Sequence, residues 1–201
     1  MVITGVYYAL GLIAGGLVAG YFTNPWLGAP FYLLAAFCLY FFRDPSREIP
    51  HGSYAVSPAD GKVVQVKPEP GPLTRVSIFL NVFDVHVNRA PIAGKITNVV
   101  YKRGQFLVAS KELASTENEQ NTITVESQDG VEVVFSQIAG LIARRIVCWK
   151  KPGDYVTAGE RIGLIRFGSR VDLLLGPQWD VKVRPGQRVS AGSSILAERT
   201  H

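Results

Sequence analysis

The stretch Lys151-Pro152-Gly153-Asp154-Tyr155-Val156-Thr157-Ala158-Gly159-Glu160-Arg161-Ile162 returns 33 positions later as Arg184-Pro185-Gly186-Gln187-Arg188-Val189-Ser190-Ala191-Gly192-Ser193-Ser194-Ile195. The shared pattern is PG-x-x-V-x-AG-x-x-I. Proline and glycine punctuate it, so each copy reads as a tight turn, a short strand, a second turn and another strand. Fainter echoes are Asp60-Gly61-Lys62-Val63, Ala93-Gly94-Lys95-Ile96 and Ala139-Gly140-Leu141-Ile142, each with a glycine two residues ahead of a β-branched residue. Between the two strong copies lies Arg166-Phe167-Gly168-Ser169-Arg170.

Outward from there the chain is a succession of short β-branched runs bounded by Gly and Pro. They are 62–66, 76–80, 95–100, 122–125 and 131–135. Their spacing predicts an all-β sandwich or barrel, with only Lys111 to Glu117 suited to a helical turn or two. The repetition resembles the folded-over hammerhead of biotinyl and lipoyl domains, used more than once. The expected fold is therefore all-β, built of hammerhead or barrel-sandwich hybrid-like repeats. No Met-Lys or Asp-Lys marks a hairpin tip, which argues against a swinging-arm carrier.

The amino-terminal part differs. Val2 to Phe22 carries no charge, and so does Trp26 to Phe42 after the break at Thr23-Asn24-Pro25. The first run can cross a hydrocarbon core of about 30 Å and the second is at the lower limit. A membrane helical hairpin over residues 1–42 is expected, spanning or re-entrant. A linker over 43–55 and a β-rich domain over 56–201 follow. No basic segment precedes the first run, which argues against a signal peptide. Arg43, Arg47, Lys62 and Lys67 come after the second run, whereas the link between the runs has no basic residue. The positive-inside rule then places the large domain on the cytoplasmic face of the cell membrane. Tyr40, Phe41 and Phe42 are expected at the interface, and Arg43 and Arg47 among anionic headgroups.

The net charge of +5 and pI near 9.3 suit nucleic acid, an anionic membrane or an anionic substrate. The apolar hairpin favours the membrane over nucleic acid. Cys38 and Cys148 both fall in apolar or strand-like runs, and His51, His86 and His201 show no metal-ligand spacing, so neither a disulfide nor a metal site is expected.

Three stretches could carry chemistry. Ser57-Pro58-Ala59-Asp60-Gly61 taken alone is ordinary turn chemistry. In Asn81-Val82-Phe83-Asp84-Val85-His86-Val87-Asn88-Arg89, strand alternation puts Asp84, His86 and Asn88 on one face. Gly168-Ser169 is not a nucleophile elbow, because Arg170 and Val171 follow. Together they offer an Asp, a His and a Ser, the parts that activate a hydroxyl. The serine follows a glycine with an unhindered carbonyl.

These residues resemble the phosphatidylserine decarboxylase family, its short form most closely, from about Phe41 to Ala197. The carrying motifs are Phe42-Arg43-Asp44-Pro45, Ser57-Pro58-Ala59-Asp60-Gly61, the Asn81–Arg89 run, Glu117-Asn118-Glu119-Gln120-Asn121 and Arg166-Phe167-Gly168-Ser169. The resemblance implies a zymogen that cuts itself between Gly168 and Ser169. It implies a covalent pyruvoyl group made from Ser169, and a β chain (1–168) that stays associated with an α chain (169–201). It implies His86 as the base acting on Ser169, with Asp60 orienting it, and a phospholipid substrate that loses CO2. A ketone in the chain would serve as the electron sink that no standard side chain offers. Arg166 or Arg170 is expected to meet an anionic group of the substrate.

The chain departs from the long form in two places. It has one histidine where the long form has two, and Phe-Gly-Ser-Arg where the long form has Leu-Gly-Ser-Thr. The same chemistry on archaetidylserine, and a non-catalytic membrane-tethered hammerhead adaptor, stand as alternatives. Homo-oligomerisation stays open.

Overall fold

A computed structural model describes residues 2–141 and 145–200 and divides the chain into two compact units, Met1–Ser46 and Arg47–His201. In the first, α1 (Ile3–Phe22) and α2 (Ala29–Phe41) pack as a hairpin, joined by a 3-10 turn over Pro25–Gly28. Asn24 caps that turn, its side chain accepting from Trp26 N–H at 3.0 Å. Small residues let the helices approach. Ala9 and Ala35 are buried, Gly5 lies against Phe42 and Gly16 against Tyr32. The outward side is apolar too: Tyr7, Leu10, Leu17 and Leu33 are all more than half exposed. A helix apolar all round suits lipid better than water. Among the described residues α1 alone is long and apolar enough to cross a membrane, and Pro25–Phe41 is shorter. Arg43 stacks on the Tyr40 ring, 3.9 Å from its centroid.

The second unit is β-rich, as the turn-punctuated pattern predicts. Its strands are β1 (Tyr54–Val56), β2 (Gly61–Glu69), β3 (Leu73–Leu80), β4 (Val87–Arg89), β5 (Gly94–Lys102), β6 (Gln120–Glu126), β7 (Glu132–Ile138), β8 (Ile146–Cys148), β9 (Tyr155–Val156), β10 (Arg161–Ile165), β11 (Ser169–Leu175), β12 (Trp179–Val181), β13 (Arg188–Val189) and β14 (Ile195–Arg199). A single turn, α3 (Ala114–Glu117), falls within the stretch expected to be helical. An antiparallel sheet in the order β13-β2-β3-β11-β7-β6-β5-β9 curls into a half-barrel. Two small sheets, β1-β14-β12 and β4-β10-β8, complete the unit. Inward-facing Val63, Ile78, Leu80, Ile96, Ile123, Phe135, Val171 and Leu173 are fully buried and form the core.

The repeat has a structural counterpart in strand pairing. β9 lays Val156 opposite Gly94, and β13 lays Val189 opposite Gly61. β2 is bulged between Val63 and Gln65, and β5 at the matching place, between Ile96 and Asn98. β10 sits between β4 and β8, as β14 sits between β1 and β12. The unit is thus two like halves. One is continuous, β4 to β10. The other is split, β1 to β3 and then β11 to β14, with the first half inserted between. They join where β11 pairs with β7. Ile49 lies over the repeated Ala-Gly turns at Gly159 and Gly192. Of the third, fainter echo, Gly140 follows β7 outside a strand, and Ile142 lies outside the described residues.

Candidate active site

Gly168-Ser169 stands where the inserted half ends and the split half resumes. Ser169 is the first residue of β11, paired with Leu80 of β3. Alternation along β11 turns Ser169, Val171 and Leu173 to the core and Arg170 and Asp172 to the other face. Ser169 is fully buried, and its Oγ has no hydrogen-bond partner among the described residues. A buried hydroxyl left unpaired costs about 1–3 kcal/mol, so such a group calls for an explanation. Two residues before it, Phe167 has φ +70°, a conformation no other non-glycine takes among the described residues. A side chain held there stores on the order of 1–3 kcal/mol of strain.

His86 precedes β4 and is 2% exposed. Its carbonyl accepts from Ile165 N–H at 3.4 Å, at the end of β10, which leads into Arg166-Phe167-Gly168. Its Nδ1 lies 2.9 Å from the Asp84 carbonyl oxygen. A carbonyl can only accept, so Nδ1 carries the proton and Nε2 is the basic nitrogen. Asp84 itself accepts from Asn81 N–H at 2.9 Å and pairs with Arg188. The expectation that Asp60 orients His86 meets a different geometry. The Asp60 carboxylate takes Arg47 Nη2 at 2.8 and 2.9 Å and Ala191 N–H at 2.7 Å. Asp60 therefore ties Arg47 and the second Ala-Gly turn to the β2 entry.

Arg170, expected to meet an anionic group of the substrate, is engaged within the protein. It is 1% exposed, on the face of β11 away from Ser169. Its Nε donates to Asp172 at 2.6 Å, Nη2 to Ser77 Oγ at 2.6 Å and to Gln65 at 3.3 Å, and Nη1 to the Lys111 carbonyl at 3.2 Å. Asp172 further accepts from Ser115 at 2.6 Å and Arg75 at 3.4 Å. Arg166 is half-buried, its amide donating to the Arg145 carbonyl at 3.1 Å.

Sequence reasoning left Asn118, Asn121, Gln137 and Gly140 without roles. Asn121 donates to Gln137 Oε1 at 3.0 Å, and Gln137 donates to Asn88 Oδ1 at 2.9 Å. This relay of buried amides ends in Asn88 Nδ2, which has no partner among the described residues. Nearby, Tyr101 donates to Glu119; burial first, and then that carboxylate, push the phenol up to about 12. The signal that could have found the asparagines is their place in the Glu117–Asn121 motif.

A family model described as phosphatidylserine decarboxylase matches residues 34–197. The chain belongs to the phosphatidylserine decarboxylase family. A relative from Solibacter usitatus (strain Ellin6076), named phosphatidylserine decarboxylase proenzyme, is 66% identical over 199 residues, covering 99% of this chain and 97% of its own. Within the phosphatidylserine decarboxylase family match lie both Gly168-Ser169 and His86. The amino-terminal α1 precedes it.

Proposed function

We propose that this family member is made as a precursor that cuts itself at Gly168-Ser169 and then decarboxylates phosphatidylserine to phosphatidylethanolamine. The observation that carries the reading is Ser169 Oγ, buried and without a partner among the described residues, directly after the strained Phe167-Gly168 turn. His86 takes the proton from Ser169 Oγ, and the oxygen attacks the Gly168 carbonyl carbon. The C–N bond breaks, the nitrogen gains the proton, and an ester replaces the amide. Loss of the Ser169 α-proton expels the Gly168 carboxylate and leaves an enamine at the new terminus. One water replaces its nitrogen as ammonia, and a ketone, the pyruvoyl group, remains. When present, that group supplies an electron sink for the bond to CO2.

The residues fit such a group. Ser169 sits on the buried face, away from bulk water, while β3 and β7 hold its strand in place. The apolar hairpin keeps the β unit close to its lipid substrate, with the unit on the cytoplasmic face and the Arg43 side of α2 at that interface. Arg166, beside the cut, is the residue we assign to an anionic group of the substrate.

Intact mass under denaturing conditions tests the cut. Two chains are expected, the smaller about 17 Da lighter than unmodified 169–201. They should turn phosphatidylserine vesicles into the ethanolamine lipid. A single uncut chain would overturn the reading. A second expectation concerns strain. Glycine adopts φ +70° freely, so Phe167→Gly should remove stored energy and slow cutting about tenfold per 1.4 kcal/mol. An equal or faster rate in a time course on denaturing gels would show that strain takes no part.

A further inference from the structure

We propose that Asn118 is a positioning residue for self-cleavage, acting through Gly140 to hold the oxygen of the carbonyl that Ser169 attacks. The inference rests on the self-cleavage reading above and gives the Glu117–Asn121 motif a purpose.

Asn118 is fully buried, and its side chain makes three hydrogen bonds, all to backbone. Oδ1 accepts from Leu107 N–H at 2.9 Å, while Nδ2 donates to the Leu107 carbonyl at 2.9 Å and to the Ala139 carbonyl at 2.8 Å. The Ala139 N–H donates to the Glu119 carbonyl at 2.9 Å. Ala139 is thus fixed at both its amide and its carbonyl by the one motif.

The next residue is Gly140. A Cβ built on it would lie 2.1 Å from the Gly168 carbonyl oxygen and 3.1 Å from the Ala109 Cβ. The hydrogen that stands in place of that Cβ points at the oxygen, a C–H···O contact. Ala109 sits two residues beyond Leu107, which Asn118 also grips. One amide therefore binds the segment that carries Ala109, which lies beside Gly140, to the segment whose Gly140 meets the Gly168 carbonyl oxygen.

That oxygen matters because attack by Ser169 Oγ needs a fixed trajectory and a fixed place for the charge that develops. A displacement of about 1 Å can cost on the order of 100-fold in rate. Only an amide of this length supplies one acceptor and two donors at this point. An aspartate would set a negative charge against two carbonyl oxygens. Any side chain at 140 would push the Gly168 carbonyl away.

The test uses the full chain. Gly140→Ala and Asn118→Ala are followed for cutting on denaturing gels, with and without hydroxylamine, across pH. We expect Gly140→Ala to cut at least about 100-fold more slowly and Asn118→Ala about tenfold more slowly. Hydroxylamine, which cleaves esters, should not rescue either, because the block precedes the ester. The pH profile of the residual rate should keep its wild-type shape, since the base is untouched. Each substitution is also made in the Ser169→Ala background, where it should still unfold cooperatively, Asn118→Ala with a Tm lower by roughly 5–10 °C because it leaves buried backbone groups unpaired.

Cutting at the wild-type rate overturns the proposal. So does a hydroxylamine-labile ester, which would place the fault after attack, or collapse of the melt, which would make the role structural. These outcomes differ from failure of the self-cleavage reading, in which the wild-type chain itself stays whole.

Discussion

Ser169→Ala leaves one chain of 201 residues and no decarboxylase activity. The expectation follows from one atom. In the proposed cleavage Oγ is both the nucleophile and the oxygen that departs when the ketone forms, and alanine has none. The fold should survive, because Ser169 is buried without a partner for Oγ, and removing that oxygen breaks no hydrogen bond among the described residues. Alanine is smaller and apolar, so stability should stay within about 1 kcal/mol of the uncut wild-type chain or rise slightly. Intact mass and conversion of phosphatidylserine vesicles are the measurements. A variant that still divides would remove Ser169 from the mechanism. A variant that stays whole yet releases CO2 would remove the pyruvoyl group.

Arg170→Ala, made in that uncut background, should destabilise the β unit by about 3–5 kcal/mol. That is the range for removing one partner of a buried ion pair. The change leaves Asp172, at 7% side-chain exposure, with only Arg75 at 3.4 Å as a cation, and takes donors from Ser77, Gln65 and the Lys111 carbonyl. It also removes one of the two ties that hold the 111–115 segment to β11, leaving Ser115 on Asp172 as the other. Thermal and denaturant unfolding in detergent should show the loss as a fall of roughly 10 °C or more in Tm. Arg170→Lys should recover only part, because an ammonium cannot present the planar fork these acceptors meet. A loss under 1 kcal/mol would mean the network is replaceable by water, and a role for Arg170 toward substrate would return.

The two arginines beside the cut show what a sequence can and cannot tell. Arg166 and Arg170 look alike as letters near a reactive bond. Only strand register reveals that Arg170 lies on the far face of β11, over Ser77. The same limit hid the partner of Asp60. It stands in a turn motif, and its cation, Arg47, comes from a segment read as linker. What was legible was local: turns at Pro-Gly and Ala-Gly, β-branched runs, the apolar hairpin and the Gly-Ser pair. The 33-residue repeat was visible too. Its meaning, one half threaded inside the other, depended on pairings between distant strands such as β2 with β13. Asn118 acts on Ala139, Leu107 and, through Gly140, on Gly168, none of them predictable from spacing alone.

The insertion of one half within the other has a consequence for the life of the molecule. A cut at the head of β11 separates the last four strands from the rest of their own half, yet leaves them laced between β3 and β7 and against β1 and β2. On the proposed self-cleavage, assembly happens while the pieces are tethered, and the tether is then destroyed. A processed molecule that melts must find its partner again from dilute solution, and no reverse reaction restores the link. The instructions for reaching this architecture thus reside in the precursor, and the working enzyme persists through slow escape from a state it has no direct route back to.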